Sequence, residues 1–177
     1  MKDLIFLGGP MGVGKTTAAR LLRDKLAPAA FLDGDWCWDM APFVVNEENK
    51  AMVLGNIAHL LRAFLDNSGF EAVVFCWVMD HDGIIQSLLD RLPGQGFRLW
   101  SVSLTASPEE LRRRVERDVA AGLRRPGAAE ASLARLPLYE KMDTIKLDVT
   151  SLTPAETAEA LFRLVRGGRK GEDHNAE

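Results

Sequence analysis

Eight residues near the amino terminus have the types and spacing of a loop that binds phosphate groups. Residues 9–16 satisfy the pattern G-x-x-x-x-G-K-[ST] in full. Glycines let the backbone wrap closely around a phosphate with its N–H groups pointing inward. Lys15 supplies a positive charge to the outer phosphates, and the Thr16 hydroxyl can ligate Mg²⁺. The residues predicted to hold a nucleoside triphosphate are Gly9, Pro10, Met11, Gly12, Val13, Gly14, Lys15, Thr16 and Thr17.

Two carboxylates one residue apart follow the next apolar run. Asp33-Gly34-Asp35 comes directly after Phe31-Leu32. At the end of a strand, one carboxylate can hold Mg²⁺ through water while the other meets a substrate. Asp and Gly also form ordinary turns, which is the competing interpretation. Because this strand end is expected beside the phosphate loop, we favour a functional pair.

Apolar side chains come immediately after the acidic pair, at Trp36, Trp38, Met40 and Phe43. They can line an apolar pocket for a second substrate, or they can pack beneath a helix that follows. The sequence favours neither interpretation. Cys37, between the two tryptophans, is interpreted as a passive thiol.

Two acids and several arginines are further candidates. Either Asp80 or Asp82 can lie near Mg²⁺, although we interpret Asp82 as the N-cap of the next helix.

Five arginines lie in or near a predicted lid over residues 118–138, which is rich in Ala, Gly and Pro. Phosphoryl transfer needs such positive charge around the transferring group. These residues are Arg113 and Arg117, four apart on one helix face, and Arg124, Arg125 and Arg135.

Strand-like and helix-like segments alternate along the chain. Apolar runs predict strands at residues 4–7, 30–32, 72–78, 97–104 and 144–149. Helical spacing and capping boxes predict helices at 16–26, 47–66 and 83–92, a helix that opens at Ser107, and a helix that opens at Thr153 and ends at Gly167. This alternation predicts a parallel sheet covered by helices on both faces, with ligands beyond the carboxyl ends of the strands.

Length and composition exclude several classes of protein. The 177 residues suit one domain, predicted over 1–168 and followed by a flexible tail over 169–177. A formal net charge of −3 argues against nucleic acid as a partner. The longest apolar run, residues 72–79, is too short to cross a membrane. The two cysteines have no metal-binding spacing. We therefore expect a cytoplasmic protein, monomeric or homodimeric.

The loop GGPMGVGKTT, the DGD after the second strand, the arginine-rich fourth helix and the short chain together resemble a known group of enzymes. This group is the P-loop small-molecule and nucleoside monophosphate kinases, which include shikimate, gluconate and adenylate kinases and chloramphenicol phosphotransferases. The resemblance implies an α/β fold, the P-loop NTPase three-layer sandwich, with a five-stranded parallel sheet of order 2-3-1-4-5. It also implies ATP, Mg²⁺, a lid and transfer of the γ-phosphoryl group to an acceptor.

The same resemblance implies roles for individual residues. Asp33 matches the aspartate near the metal, together with Thr16, and Asp35 matches the one near the acceptor hydroxyl; their order stays open. Arg113 and Arg117 match an R-x-x-x-R at the root of the lid, where one arginine stacks on adenine and another reaches phosphates. Arg117 is the stronger candidate for the stacking role. The resulting catalytic set is Lys15, Asp33, Asp35 and Arg124, with the acceptor bound by residues 36–66.

The predicted activity is therefore ATP-dependent phosphorylation of a small molecule or nucleotide. The alternative is a nucleotide-binding regulatory ATPase that has no phosphoryl acceptor. A GTPase is disfavoured because the chain contains no N-K-x-D motif for guanine. The third strand also lacks the D-E pair that activates water in motor ATPases.

Overall fold

The computed structural model describes residues 1–92, 94 and 96–172, which alternate between strands and helices. The strands are β1 (Lys2–Gly8), β2 (Ala29–Asp33), β3 (Ala72–Cys76), β4 (Phe97–Thr105) and β5 (Ile145–Asp148). The α-helices are α1 (Lys15–Leu26), α2 (Glu47–Asp66), α3 (Asp82–Leu89), α4 (Pro108–Ala120), α5 (Ala128–Lys141) and α6 (Pro154–Glu172). A short 3₁₀ helix, Gly34–Trp38, follows β2 directly.

The five strands form one parallel sheet in the order β2-β3-β1-β4-β5, which confirms the predicted order. The central strand β1 pairs with β3 on one side and with β4 on the other, so that Leu4 lies opposite both Val73 and Leu99. Parallel strands need helical crossovers, and these cover both faces of the sheet. The carboxyl ends of β1, β2 and β3 consequently meet at one edge.

Alternate side chains of β1 enter two separate cores, as the pleat of a strand requires. Ile5 and Leu7 pack in one core with α1, α4 and α6, whereas Leu4 and Phe6 pack in the other with α2 and α3. All four side chains are fully buried. This arrangement is the expected three-layer sandwich, in which β1 is fixed from both faces and holds the loop that follows it.

Three elements end two or more residues away from their predicted ends. β3 ends at Cys76, because the chain turns there through a bond from the Met79 N–H to the Trp77 carbonyl (3.1 Å). α3 ends at Leu89 and gives way to a turn, while Pro93, which the sequence predicts to end it, lies outside the described residues. α6 continues through its glycines to Glu172. Gly168 lies against the Trp100 ring, where a Cβ would come within 2.1 Å. That glycine allows close packing rather than ending the helix.

The predicted lid contains a helix, α5, that the sequence pattern does not predict. α5 has almost no apolar periodicity and carries Pro137 inside it. Its buried residues are Ala129, Ser132, Leu136 and Tyr139. Much of the predicted lid is thus a helix that packs along α4.

None of the helices in the described part of the chain combines the length and the apolar character that a membrane crossing needs.

Candidate active site

The phosphate loop lies between β1 and α1, at the edge where the strands end. Gly12 and Gly14 have φ angles of 83° and 104°, which only glycine adopts readily. A Cβ on Gly12 would also lie 2.4 Å from the Val115 side chain of α4. Residues 11–17 line the cleft, whereas Gly9 and Pro10 are buried beneath it. Gly12 therefore allows the loop to pack against α4, and Gly14 leads directly into the N-terminus of α1.

Lys15, the first residue of α1, lies at the base of the loop. Its Nζ donates to the Gly9 carbonyl (2.7 Å) and to the Pro10 carbonyl (2.9 Å). Burial of the ammonium group lowers its pKa to about 8, although the nearby charges of Asp35 and Asp33 act in the opposite direction. Lys15 is thus held as an enclosed, weakly solvated charge at the position where phosphates would bind.

The lowered pKa of Lys15 predicts that binding of Mg·ATP weakens as the pH rises above about 8. Phosphates need the charged ammonium, so ATP must restore a proton wherever the free protein has lost it. The dissociation constant is expected to rise about tenfold per pH unit between pH 8.5 and 9.5. Calorimetry in two buffers of different ionisation enthalpy measures the proton uptake directly. Binding at pH 9 without proton uptake would contradict this prediction.

The first aspartate of the DGD pair contacts the phosphate loop. The Thr16 Oγ1 donates to Asp33 Oδ2 (2.8 Å), and Asp33 is almost fully buried. Asp33 Oδ1 accepts from the Asp35 backbone N–H (3.1 Å), which caps the 3₁₀ helix. Asp33 therefore serves the turn and faces Thr16 as well, so the two interpretations of this motif are compatible.

The second aspartate points into the open cleft. Enclosure by the surrounding protein and the charge of Asp33 raise the pKa of Asp35, while Lys15 and a hydrogen bond from the Trp77 side chain lower it. Trp77 can approach because residue 34 is glycine: a Cβ there would lie 2.4 Å from the indole. The Gly of the DGD motif thus allows Trp77 to support Asp35.

The oxygen ligands at this point suit Mg²⁺. A hydroxyl and a carboxylate lie side by side at the loop, and hard oxygen donors are what Mg²⁺ prefers. Across the described residues, no group of three or more His, Cys, Asp or Glu side chains could hold a metal alone. Thr16 and Asp33 therefore fit a Mg²⁺ that takes its remaining ligands from phosphates and water.

Asp80 and Asp82 have other partners. Asp80 accepts from Arg135 of α5 (2.8 Å). Asp82 is the first residue of α3 and accepts from the Asp143 backbone N–H (3.2 Å). The preferred interpretation of Asp82 as an N-cap is wrong, because His81 occupies that position without a side-chain bond. The helix begins one residue earlier than its sequence pattern indicates.

Three of the five predicted arginines lie around the phosphate side of the cleft. Arg113 pairs with Glu110 (2.7 Å), and the mostly exposed Arg117 lies 3.5 Å from Asp118. Arg124 pairs with Asp118 (3.0 Å) and lies near enough to Lys15 to lower its pKa. All three arginines line the cleft. Arg125 is exposed outside the cleft lining, and Arg135 lines the cleft beside Asp80.

Sequence reasoning missed Arg114, which is the best-buried arginine of this helix segment. Its guanidinium pairs with Glu110 (2.6 Å) and donates to the carbonyls of Val13 (3.2 Å) and Val149 (2.8 Å). Weaker bonds reach the Thr150 and Leu152 carbonyls. Its position three residues after the buried Leu111 is the signal that could have identified it. Arg114 joins the phosphate loop, α4 and the loop after β5.

The capping box predicted at Ser107 forms only in part, because Arg113 and Arg114 bind the Glu110 carboxylate that would complete it. Ser107 Oγ accepts from the Glu110 N–H (3.2 Å), as predicted. The Glu110 carboxylate, however, is bound by Arg113 and Arg114, which lower its pKa to about 2. The Ser107 N–H donates instead to Thr150 Oγ1 (2.8 Å). At Thr153 the box is complete, with Glu156 and Thr153 bonded in both directions.

Replacing Arg114 with methionine is expected to destabilise the protein by about 3 kcal/mol, because carbonyls on two loops lose a charged donor. The neighbouring Arg112 is exposed and pairs with Glu130 on the surface. Arg112→Met is the matched control and should change the free energy of unfolding little. Urea denaturation of the two variants measures the difference. Equal stability of both variants would contradict a clamping role for Arg114.

The apolar residues after Asp35 divide between the two roles that the sequence left open. Trp36, Trp38 and Phe43 line the cleft, and Trp36 and Phe43 expose 54% and 65% of their surface. Met40 and Cys37 instead pack against the core beneath α2, as Trp38 also does. Burial raises the pKa of the Cys37 thiol, as expected for a passive cysteine.

These residues surround one continuous cleft of about 1870 Å³. It runs from the phosphate loop and the arginines of α4, past Asp33 and Asp35, to the tryptophans after β2. A single small-molecule site usually measures about 300–1,000 Å³. The cleft is therefore large enough for a nucleotide and a second ligand together.

Comparison with known proteins agrees with this architecture. The sequence profile described as an AAA domain matches residues 5–130. No curated protein sequence matches the chain. Among solved structures, a gluconokinase from Sinorhizobium meliloti 1021 superposes with a TM-score of 0.70 and 18% identity, covering 99% of this chain and 98% of that one.

Two further solved structures are similar over nearly the whole chain. The tunicamycin resistance protein of Deinococcus radiodurans has a TM-score of 0.67 and 19% identity, covering 93% of this chain and 96% of that one. Shikimate kinase from Aquifex aeolicus has a TM-score of 0.58 and 19% identity, covering 95% and 99%. The predicted resemblance to P-loop small-molecule kinases is thus confirmed at the level of the fold.

Proposed function

We propose that this chain, which belongs to the AAA-domain family, is a kinase that transfers the γ-phosphoryl group of ATP to a hydroxyl of a small molecule. One observation carries the proposal: the Asp35 carboxylate opens into the same cleft as Lys15 and interacts with its charge. Binding of ATP alone does not need a second carboxylate there, whereas transfer to a hydroxyl uses one as a base. The cleft also has space for an acceptor beyond Asp35.

ATP would bind with its phosphates along residues 11–17. The backbone N–H groups of the loop and the N-terminus of α1 stabilise negative charge there, and Lys15 adds a full positive charge. Arg113 and Arg117 line the cleft beside the loop, where Arg117 would stack on the adenine. Thr16 and Asp33 would hold Mg²⁺, which neutralises charge on the phosphates when bound.

Transfer follows from the position of Asp35. The acceptor hydroxyl oxygen attacks the γ-phosphorus, the bond from that phosphorus to the β–γ bridging oxygen breaks, and Asp35 takes the hydroxyl proton. A raised pKa makes an ionised carboxylate a stronger base. Lys15 and Arg124 stabilise the charge that develops on the phosphoryl oxygens.

The direct test is release of ADP from Mg·ATP in the presence of hydroxyl compounds. The panel includes metabolites, nucleosides and nucleotides, and antibiotics of the aminoglycoside and chloramphenicol types. It also includes tunicamycin, because a protein of similar structure is described as conferring resistance to it. Stimulation by an acceptor, with formation of its phosphorylated product, supports the kinase. The alternative, a regulatory ATPase, predicts a slow release of ADP that no acceptor changes.

Two arginines are expected to separate kinetically. Arg117→Ala should raise the KM for ATP several-fold, because Arg117 would stack on adenine in ground and transition states alike. Arg124→Ala should lower kcat about a hundredfold with little change in ATP affinity, since its charge would serve the transferring phosphate. Steady-state kinetics of both variants measures the split. Identical effects would refute this division.

A further inference from the structure

The part of the cleft beyond Asp35 has an aromatic wall, formed by Trp36, Trp38, Phe43 and Trp77. Trp36 and Phe43 present more than half of their surface to solvent. Large exposed rings inside a cleft are surfaces that a ligand can cover, because each ring buried there removes apolar area from water. The wall starts directly after the proposed base, so a ligand on it would lie next to Asp35.

The aromatic wall is held by packing before any ligand arrives. Trp77 lies against the Gly34 backbone, and Trp36 meets Phe31 edge to face at 5.4 Å. The Trp38 and Phe43 rings are 5.8 Å apart and tilted by 51°. Such pre-organised rings cost little entropy on binding, which favours a rigid and planar ligand.

The carboxylates that line this region are Asp35, Asp39 and Asp80, and the cations around them already have partners. Lys15 and Arg124 act on Asp35, but Lys15 lies in the phosphate loop and Arg124 pairs with Asp118 (3.0 Å). Farther along the cleft, within the described residues, Lys50 pairs with Glu47 (2.8 Å), Arg135 pairs with Asp80 (2.8 Å), and His81 also lines the cleft. An anionic acceptor would therefore approach carboxylates and have to compete for cations that already have partners.

From the aromatic wall and these charges we infer that the acceptor is an uncharged or cationic alcohol that carries an aromatic ring. The inference rests on the proposed function, in which Asp35 takes the proton of the acceptor hydroxyl. The ring lies against Trp36 and Phe43, and the hydroxyl reaches Asp35. Acidic acceptors, such as sugar acids and nucleoside monophosphates, are expected to bind more weakly, because the cations of the region already have partners.

Three probes that share a ring and a hydroxymethyl group test the charge rule. They are para-(hydroxymethyl)benzamide, which is neutral, para-(aminomethyl)benzyl alcohol, which is cationic, and para-(hydroxymethyl)benzoate, which is anionic. Calorimetry with the protein saturated by Mg·ADP measures binding without turnover. The benzoate is expected to bind at least about tenfold more weakly than the other two. Equal or tighter binding of the benzoate, or no binding by any probe, overturns the inference.

Variants test the position of the ring. Trp36→Ala and Phe43→Ala are each expected to weaken binding of the benzamide about two- to tenfold. Leu138→Ala is the matched control, since Leu138 is exposed on α5 outside the cleft lining. Trp36 and Phe43 are both largely exposed, so neither substitution should unfold the protein. Circular dichroism verifies that the variants are folded. Unchanged binding in both variants overturns the assigned wall.

Release of ADP with the same probes separates this inference from the proposed function. Binding in the predicted order without any ADP release supports the ligand class and contradicts the kinase. Release of ADP with the benzoate, while the benzamide and the amine stay inactive, contradicts the ligand class and supports the kinase. Release with the neutral and cationic probes supports both.

Discussion

A Lys15→Ala variant is expected to lose phosphoryl transfer by about 10³-fold, the cost of removing one pre-organised charge from a developing transition state. Lys15 is enclosed at the base of the phosphate loop, where its charge is weakly solvated. The fold should survive, because the hydrogen bonds of the ammonium, among the described residues, go to the Gly9 and Pro10 carbonyls of its own loop. Measurement of product formed from Mg·ATP and an active acceptor gives the loss.

Lys25→Ala is the matched control for this experiment. Lys25 lies on the same helix, at its other end, and pairs on the surface with Glu159 (2.8 Å). Its removal should leave transfer unchanged. Comparable turnover by folded Lys15→Ala protein and the parent protein would refute the kinase proposal, since nothing else in the loop carries a full charge.

The paired aspartates are expected to separate into two phenotypes. Asp35→Asn should keep Mg·ATP affinity and lower transfer at least about a hundredfold, because an amide cannot accept the hydroxyl proton. Asp33→Asn should weaken both transfer and the dependence of ATP binding on Mg²⁺, since Asp33 lies 2.8 Å from Thr16 beside the loop. Calorimetric titrations of ATP at several Mg²⁺ concentrations, run beside transfer assays, measure the two effects.

Asp39→Asn serves as the control for charge alone, because Asp39 lines the same cleft farther along the chain. It should change transfer much less than Asp35→Asn does. Slow hydrolysis of ATP by water is compatible with the loss of transfer in the Asp35 variant. Normal transfer by Asp35→Asn would place the base elsewhere, and Asp80 would be the next carboxylate to replace.

The most local features were predictable from the sequence. The phosphate loop is specified by glycines that adopt unusual φ angles, followed by a lysine at the start of a helix. The bounds of α2, Glu47–Asp66, agree with the prediction, because apolar residues recur there at helical spacing between two capping asparagines. The sheet order followed from the family resemblance that the loop indicated. The loop and α2 depend on neighbours in the chain, whereas the sheet order was implied by the family resemblance alone.

Other parts could not be predicted because their stabilising contacts come from distant residues. α5 lacks an apolar stripe and is held by small residues and Tyr139 against α4 and the phosphate loop, where Ser132 Oγ donates to the Met11 carbonyl (2.6 Å). A periodicity search has no signal to detect in such a helix. Gly168 likewise resembles a helix terminator until the Trp100 ring is found against it.

The residues that could bind phosphate and carry acidic chemistry were identifiable from the chain alone, since a motif of that kind acts through its own backbone and adjacent side chains. The division of the remaining charged and aromatic residues between the core and the cleft depended on long-range packing. Arg114 lines the cleft together with Arg113 and Arg117, but it donates to the carbonyls of Val13 and Val149, which are 101 and 35 residues away in sequence. Trp77 reaches Gly34 and Asp35 across two paired strands. Those choices depend on which side chains compete for the same buried space and the same partners, and that competition exists only once the sheet has brought distant segments together.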